Sequence, residues 1–147
     1  MPSIDQQIPA IAMSITPFIY FYGRCEEALD FYAGALHGSY AVLQRNSESA
    51  FADQLSAEFR GKISAARFVS DGAVFMASDG GEARTLDPNE GNVSLTLTVP
   101  DDHEARRVFD ALCDGGRVKQ AFKASDWGGL FGVVQDRFGT EWIVTTT

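Results

Sequence analysis

Apolar side chains recur along this chain in two rhythms, and the rhythms mark out two similar halves. The stretch SITPFIYFY, residues 14–22, is β-branched and aromatic and predicts a strand that Gly23 ends. CEEALDFYAGAL, residues 25–36, places Ala28, Leu29, Phe31, Tyr32, Ala35 and Leu36 at helical spacing, with Gly38 as the stop signal. SYAVLQR predicts a second strand, and the polar residues 47–61 contain a helix-like piece, FADQLSAEF. ISAARFVS and AVFMAS read as a hairpin in which Asp71-Gly72 supplies the two positive φ angles of a type I′ turn. Residues 79–91, DGGEARTLDPNEG, are polar and turn-forming and predict a linker.

Beyond the linker the pattern restarts. NVSLTLTV, residues 92–99, alternates small polar with apolar side chains and predicts a strand. DDHEARRVFDALC, residues 101–113, predicts a helix with Asp101 or Asp102 as N-cap and Gly115-Gly116 as its end. RVKQAFKAS, LFGVVQ and TEWIVTT supply three more strands. Counting exposes a repeat: Gly38 lies eleven positions beyond Glu27, and Gly115 lies eleven beyond Glu104. Each half then closes on a glycine turn, Gly72 or Gly139, and a final strand.

The expected fold is therefore α+β, built from two βαβββ modules over residues 14–78 and 92–147. A loose arm over residues 1–13 precedes this single domain of residues 14–147, and the linker 79–91 divides it. Each half is an open sheet with a helix on one face, so its other face needs cover. Two halves curving around a shared space, helices outside, would leave a cleft between the bare faces.

Strand alternation assigns the lining of that cleft. Counted this way, Pro17, Ile19 and Phe21 face inward, as do Ala65, Arg67, Val74 and Met76. The second half contributes Asn92, Ser94, Thr96, Glu141 and Ile143, while Phe18, Tyr20, Tyr22, Phe75 and Trp142 pack under the helices. Glu141 beside Phe21 and Ile143 is expected to be desolvated, which raises a carboxyl pKa and suits acid–base work. Its other reading is a salt bridge, with Arg67 as one partner, or a strand end reaching water. Arg67 is otherwise suited to holding an anionic group, with Asn92 and Ser94 donating hydrogen bonds. Trp127, in SDWGGLFG, either stacks on a planar ligand or anchors its loop. The expected site is thus Glu141 as acid or base, with Phe21, Arg67, Met76, Asn92, Ser94, Trp127 and Ile143 around the ligand.

Composition narrows the function classes. At 147 residues and 45% hydrophobic content the chain suits one domain with a sizeable core. Its net charge of −8 argues against nucleic acid and anionic membranes as partners. Pro9 and Pro17 break the early apolar stretch, and no basic region precedes it, so the expected location is the cytoplasm. Cys25 and Cys113 lack metal-motif spacing and read as free thiols, and His37 and His103 read as surface residues.

PFIYFYGRCEEALDFYAGAL, GKISAARF with AVFMASD, and NVSLTLTV, VFDAL and WGGLFGVVQDRFGTEWIV together resemble the PhnB-like branch of the vicinal oxygen chelate superfamily. That superfamily includes glyoxalase I, extradiol dioxygenases and bleomycin-resistance proteins, and the likeness spans residues 14–146. It implies a glyoxalase-like fold, a homodimer and a small-molecule cleft. In metal-using members, four ligands stand on the opening and closing strands. Counted ten residues before Glu27 and Glu104, and four past each turn glycine, these places are Pro17, Ser94, Met76 and Ile143. Ala65 stands where PhnB-like relatives often carry a histidine. Divalent catalytic sites use imidazoles and carboxylates, and a shift of two residues adds only Glu141. The expectation is a binder of a small, partly apolar organic molecule with no cofactor. The alternatives are a divalent-metal lyase, isomerase or dioxygenase, and a drug-sequestering protein of the bleomycin-resistance type. Some relatives carry a ubiquinone-methyltransferase label, but the chain has no cofactor-binding signature for methyl transfer.

Overall fold

The computed structural model describes residues 13–87, 91–126 and 128–147. All of the expected arm but Met13, part of the linker, and Trp127 lie outside the described residues. The first half runs β1 (Phe18–Tyr20), α1 (Cys25–Ala35), β2 (Ser39–Arg45), a short α2 (Ala57–Arg60), β3 (Ile63–Ser70) and β4 (Ala73–Ser78). The second runs β5 (Leu95–Thr98), α3 (Asp102–Cys113), β6 (Arg117–Ala124), β7 (Leu130–Gln135) and β8 (Glu141–Thr145). The sheets are ordered β1-β4-β3-β2 and β5-β8-β7-β6. In each, the opening strand lies parallel to the closing one and the remaining pairs are antiparallel. The α+β repeat is present as counted.

Local chemistry fixes the helix starts differently in the two halves. Asp101 caps α3, its side chain accepting from Glu104 N at 2.8 Å. Arg24 at the start of α1 offers no such bond. Instead the buried Asp79, just past β4, accepts from Cys25 N at 2.8 Å and from Ile63 N at 2.7 Å. One carboxylate so ties helix, sheet and linker. The β3–β4 hairpin forms, but its turn is not type I′: Asp71 alone takes a left-handed φ of 50°. Aspartate tolerates that conformation because its short polar side chain bonds locally.

The helices are not outside. Arg107 of α3 donates to the carbonyl of Ala35 at the end of α1 at 3.0 Å. The Tyr32 ring of α1 lies 5.6 Å from both Phe75 and Trp142, which occupy equivalent places in β4 and β8. Phe138 of the second half packs 5.9 Å from Phe21 and 5.6 Å from Phe31 of the first. The halves therefore meet through their helix-bearing faces and share one core, contrary to the expected cleft between two facing sheets. Aromatic pairs contribute roughly 0.5–1.5 kcal/mol each beyond the area they bury, and this side of the sheets carries Phe68, Phe75, Phe122 and Trp142. Gly132 makes the close approach of α3 to β7 feasible, since a Cβ there would stand 2.8 Å from the Phe109 ring.

The register also corrects the face assigned to β1. Phe18 pairs with Met76 and Tyr20 with Ser78, so Phe18 and Tyr20 share the bare face with Met76. They are 45% and 49% exposed. Ile19 and Phe21 point into the core, and Phe21 is buried. In the second half Thr96 pairs with Ile143 and Leu95 with Trp142, as strand alternation required.

Candidate functional site

A cavity of ≈ 620 Å³ opens where β1 meets the bare face of the second sheet. Phe18, Tyr20 and Tyr22 form one wall, and Ser94, Lys119 and Glu141 form the other. Leu86, Asn92 and Val93, between the halves, close one side. The alternation of β5 puts Ser94 beside the first residue of β8, Glu141, while a bulge in β6 between Val118 and Gln120 turns Lys119 toward the same point.

Glu141 is held at both oxygens: Ser94 Oγ donates to Oε2, and Lys119 Nζ donates to Oε1 as an ion pair. The hydrogen bond from Lys119 first, and that from Ser94 second, hold the Glu141 carboxyl below its ordinary range, outweighing the opposing effect of burial. The raised pKa expected from apolar neighbours is thus reversed. Its partner is Lys119 rather than Arg67. An ionised, doubly bonded carboxylate accepts protons and hydrogen bonds and is a poor acid.

The structure brings together only part of the expected set. Asn92, Ser94 and Glu141 line the cavity. Met76 and Ile143 are half-buried on the bare faces but do not line it. Arg67 is exposed on β3, opposite Met76, and makes no ion pair among the described residues. Phe21 reaches a different cavity from its place in the core. Trp127 lies outside the described residues. Sequence reasoning missed Lys119, Tyr20, Tyr22 and Leu86. The charge of Lys119 across from Glu141 was the available signal, but the bulge hides their pairing from simple counting.

The places a metal would need are defined by register as Phe18 with Met76 and Thr96 with Ile143. One thioether and one hydroxyl do not suit a divalent catalytic ion, so the donor set does not fit it. Among the described residues no group of three His, Cys, Asp or Glu side chains converges as a metal site. His37 is exposed and stands 3.6 Å from Glu104, and His103 is exposed at the start of α3.

Residues 13–145 match the family model described as 3-demethylubiquinone-9 3-methyltransferase. The chain belongs to that family. Its fold is similar to that of protein PA1353 from Pseudomonas aeruginosa, with a TM-score of 0.76 and 33% identity, covering 91% of this chain and 97% of the other. It is also similar to a putative 3-demethylubiquinone-9 3-methyltransferase, PhnB protein, from Bacillus cereus, with a TM-score of 0.71 and 25% identity, covering 90% and 98% of the two chains. The chain also shares the fold of the bleomycin resistance determinant encoded on transposon Tn5, at a TM-score of 0.52 and 15% identity over 92% of this chain and 98% of that one. The family description names methyl transfer, which would need a donor cofactor. Gly80-Gly81 follow a strand without opening a helix, and Gly128-Gly129 precede a strand, so neither pair forms a nucleoside-phosphate turn. No helix among the described residues is long and apolar enough to cross a membrane.

Proposed function

We propose that this PhnB-like protein binds a small, partly apolar organic molecule in the cavity between β1 and the second sheet, without a catalytic metal. One observation carries the reading: a carboxylate fixed by Ser94 and Lys119 faces three aromatic side chains, Phe18, Tyr20 and Tyr22, across ≈ 620 Å³. Apolar walls with a few convergent polar groups are the usual build of a small-molecule site. The rings bury the ligand's apolar body. Glu141 accepts a hydrogen bond or proton from a ligand O–H or N–H, and the spare N–H groups of Lys119 donate to a ligand oxygen.

The same reading includes a second copy of the chain. The bare face of the first sheet leaves Phe18, Tyr20 and Leu43 exposed, an apolar surface that a homodimer covers. Lys119 neutralises Glu141, so the cavity is not built as a strongly acidic groove for cationic drugs.

The test is a titration of 15N-labelled protein with a panel of small aromatic alcohols, amines and acids. Saturable amide shifts at Ser94, Lys119 and Glu141, weakened by Glu141→Gln, support the reading. Failure of every compound to shift these residues, or equal affinity for the Gln variant, sinks it.

A further inference from the structure

A second cavity, of ≈ 520 Å³, lies at the junction of the halves and shares Tyr22, Leu86, Gln135 and Gly139 with the first. Its lining includes Arg24, Arg84, Arg117 and Arg137, a third of the 12 basic side chains of a chain whose net charge is −8. They come from separate segments: the β1–α1 turn, the stretch after β4, the start of β6 and the β7–β8 turn. Convergence of like charge from four segments costs electrostatic energy unless something anionic is present to offset it.

The arginines are also oriented. Arg24 lies over the Phe138 ring at 4.6 Å, Arg137 over Phe31 at 4.5 Å, and Arg84 over Tyr22 at 4.8 Å. Stacking fixes a guanidinium plane while leaving N–H groups on its edge for further bonds. Glu27 engages Arg24 at 2.9 and 3.2 Å, and Asp114 engages Arg137 at 2.9 Å. Arg84 has a loose contact with Glu82, at 4.0 Å, and a long hydrogen bond to the Tyr22 hydroxyl, at 3.4 Å. Arg117 makes no ion pair among the described residues, and its bond to Gln135 is long, at 3.4 Å. Asp136 is in the wall, but both its oxygens already accept bonds from Tyr32, Trp142, Phe138 N and Thr140 N. Two of the four guanidinium groups thus retain free donors, and the other two hold positive charge in place behind them.

We propose that this cleft binds a phosphate-class oxyanion, with Arg84 and Arg117 as its direct contacts and Arg24 and Arg137 as the fixed field around it. A dianion with several equivalent oxygens matches guanidinium forks arriving from different directions better than a single carboxylate does. Free phosphate and the head group of a phosphomonoester share this chemistry. The inference does not rest on the aromatic cavity, since Ser94, Lys119 and Glu141 do not line the arginine cleft.

Calorimetric titration of the full chain with inorganic phosphate, and separately with glycerol phosphate, at constant ionic strength tests it. Saturable binding is expected, with amide shifts at Gly115, Gly116 and Gly139, which line the cleft. The double variant Arg84→Gln, Arg117→Gln is expected to weaken it by about tenfold or more, while Lys123→Ala, an exposed charge near the far end of β6, leaves it unchanged. Tighter binding of the ester assigns the site to a phosphomonoester, and equal binding assigns it to phosphate itself. Both arginines are exposed, so the double variant keeps its fold, and circular dichroism verifies this. No saturation with either anion, unchanged affinity in the double variant, or loss in Lys123→Ala overturns the proposal. The shifts in the unmodified chain decide the matter if the variant does not fold.

Discussion

The hydroxyl of Tyr32 donates to Oδ2 of Asp136 at 2.5 Å, joining the helix of one half to the β7–β8 turn of the other inside a common core. Trp142 Nε1 donates to the same oxygen at 2.8 Å, and the amides of Phe138 and Thr140 donate to Oδ1 at 2.9 and 3.0 Å. Four donors converge on one buried carboxylate. Tyr32→Phe is expected to lower stability by about 2 kcal/mol, the usual loss for a bond to a charged group. Asp136→Asn is expected to cost more, about 3 kcal/mol, because an amide must turn its N–H groups against two of the four donors. Urea denaturation of both variants checks the ranking. Equal stabilities would show that the network is incidental.

Asp136 and Glu141 shift in opposite directions, and their pH effects have opposite signs. Burial, the largest cause, raises the Asp136 carboxyl despite its hydrogen bonds. Its burial therefore costs stability at neutral pH, and that cost fades as pH falls through its raised folded value. Lys119 lowers Glu141, so the pair's contribution is complete above the ordinary carboxylate range and is lost as pH falls through the lowered folded value. The pair is partly exposed and contributes below ~1 kcal/mol. Lys119→Ala is expected to raise the Glu141 pKa, read from the 13C shift of its carboxyl against pH. An unmoved titration would remove Lys119 from the site.

Two glycines distinguish crowded from open backbone. A Cβ on Gly116 would stand 2.3 Å from the Gln135 carbonyl, so Gly116→Ala is expected to destabilise by about 2 kcal/mol. Gly34 lies inside α1, where an added Cβ would meet nothing within 4 Å, so Gly34→Ala is expected to stabilise by about 0.5–1 kcal/mol. Thermal melts give both signs directly.

The bare faces supply a prediction about assembly. Phe18→Asp with Tyr20→Asp places charge on exposed positions, so the folded monomer should lose little stability. Sedimentation of the unmodified chain should give a dimer, and the double variant a monomer. A monomer in both cases would dismiss the homodimer.

The element order and the repeat were legible because helix and strand periods are strong in α1, α3, β3 and β8. The facing of β1 was not. Phe18, Tyr20 and Tyr22 are as apolar as Pro17, Ile19 and Phe21, so alternation had no polar side to mark. Counting back from the helix decided it, and that count gave Pro17 where the register pairs Phe18 with Met76. A slip of one residue turns every side chain to the other face. In the second half the same count gave Ser94 where the register pairs Thr96 with Ile143, a slip of two that preserves the face. The turns between opening strand and helix differ in length, and nothing local announces it. The placing of the helices was equally hidden, since an amphipathic helix shows which side is apolar but not which sheet it meets.

Tyr32 lies among Phe75, Phe138 and Trp142, so the aromatic nest of each half is completed by side chains of the other. Severed between the halves, neither fragment retains a finished interior. The duplicated architecture is thus an obligate partnership: the fragments should be insoluble apart and should complement one another when produced together.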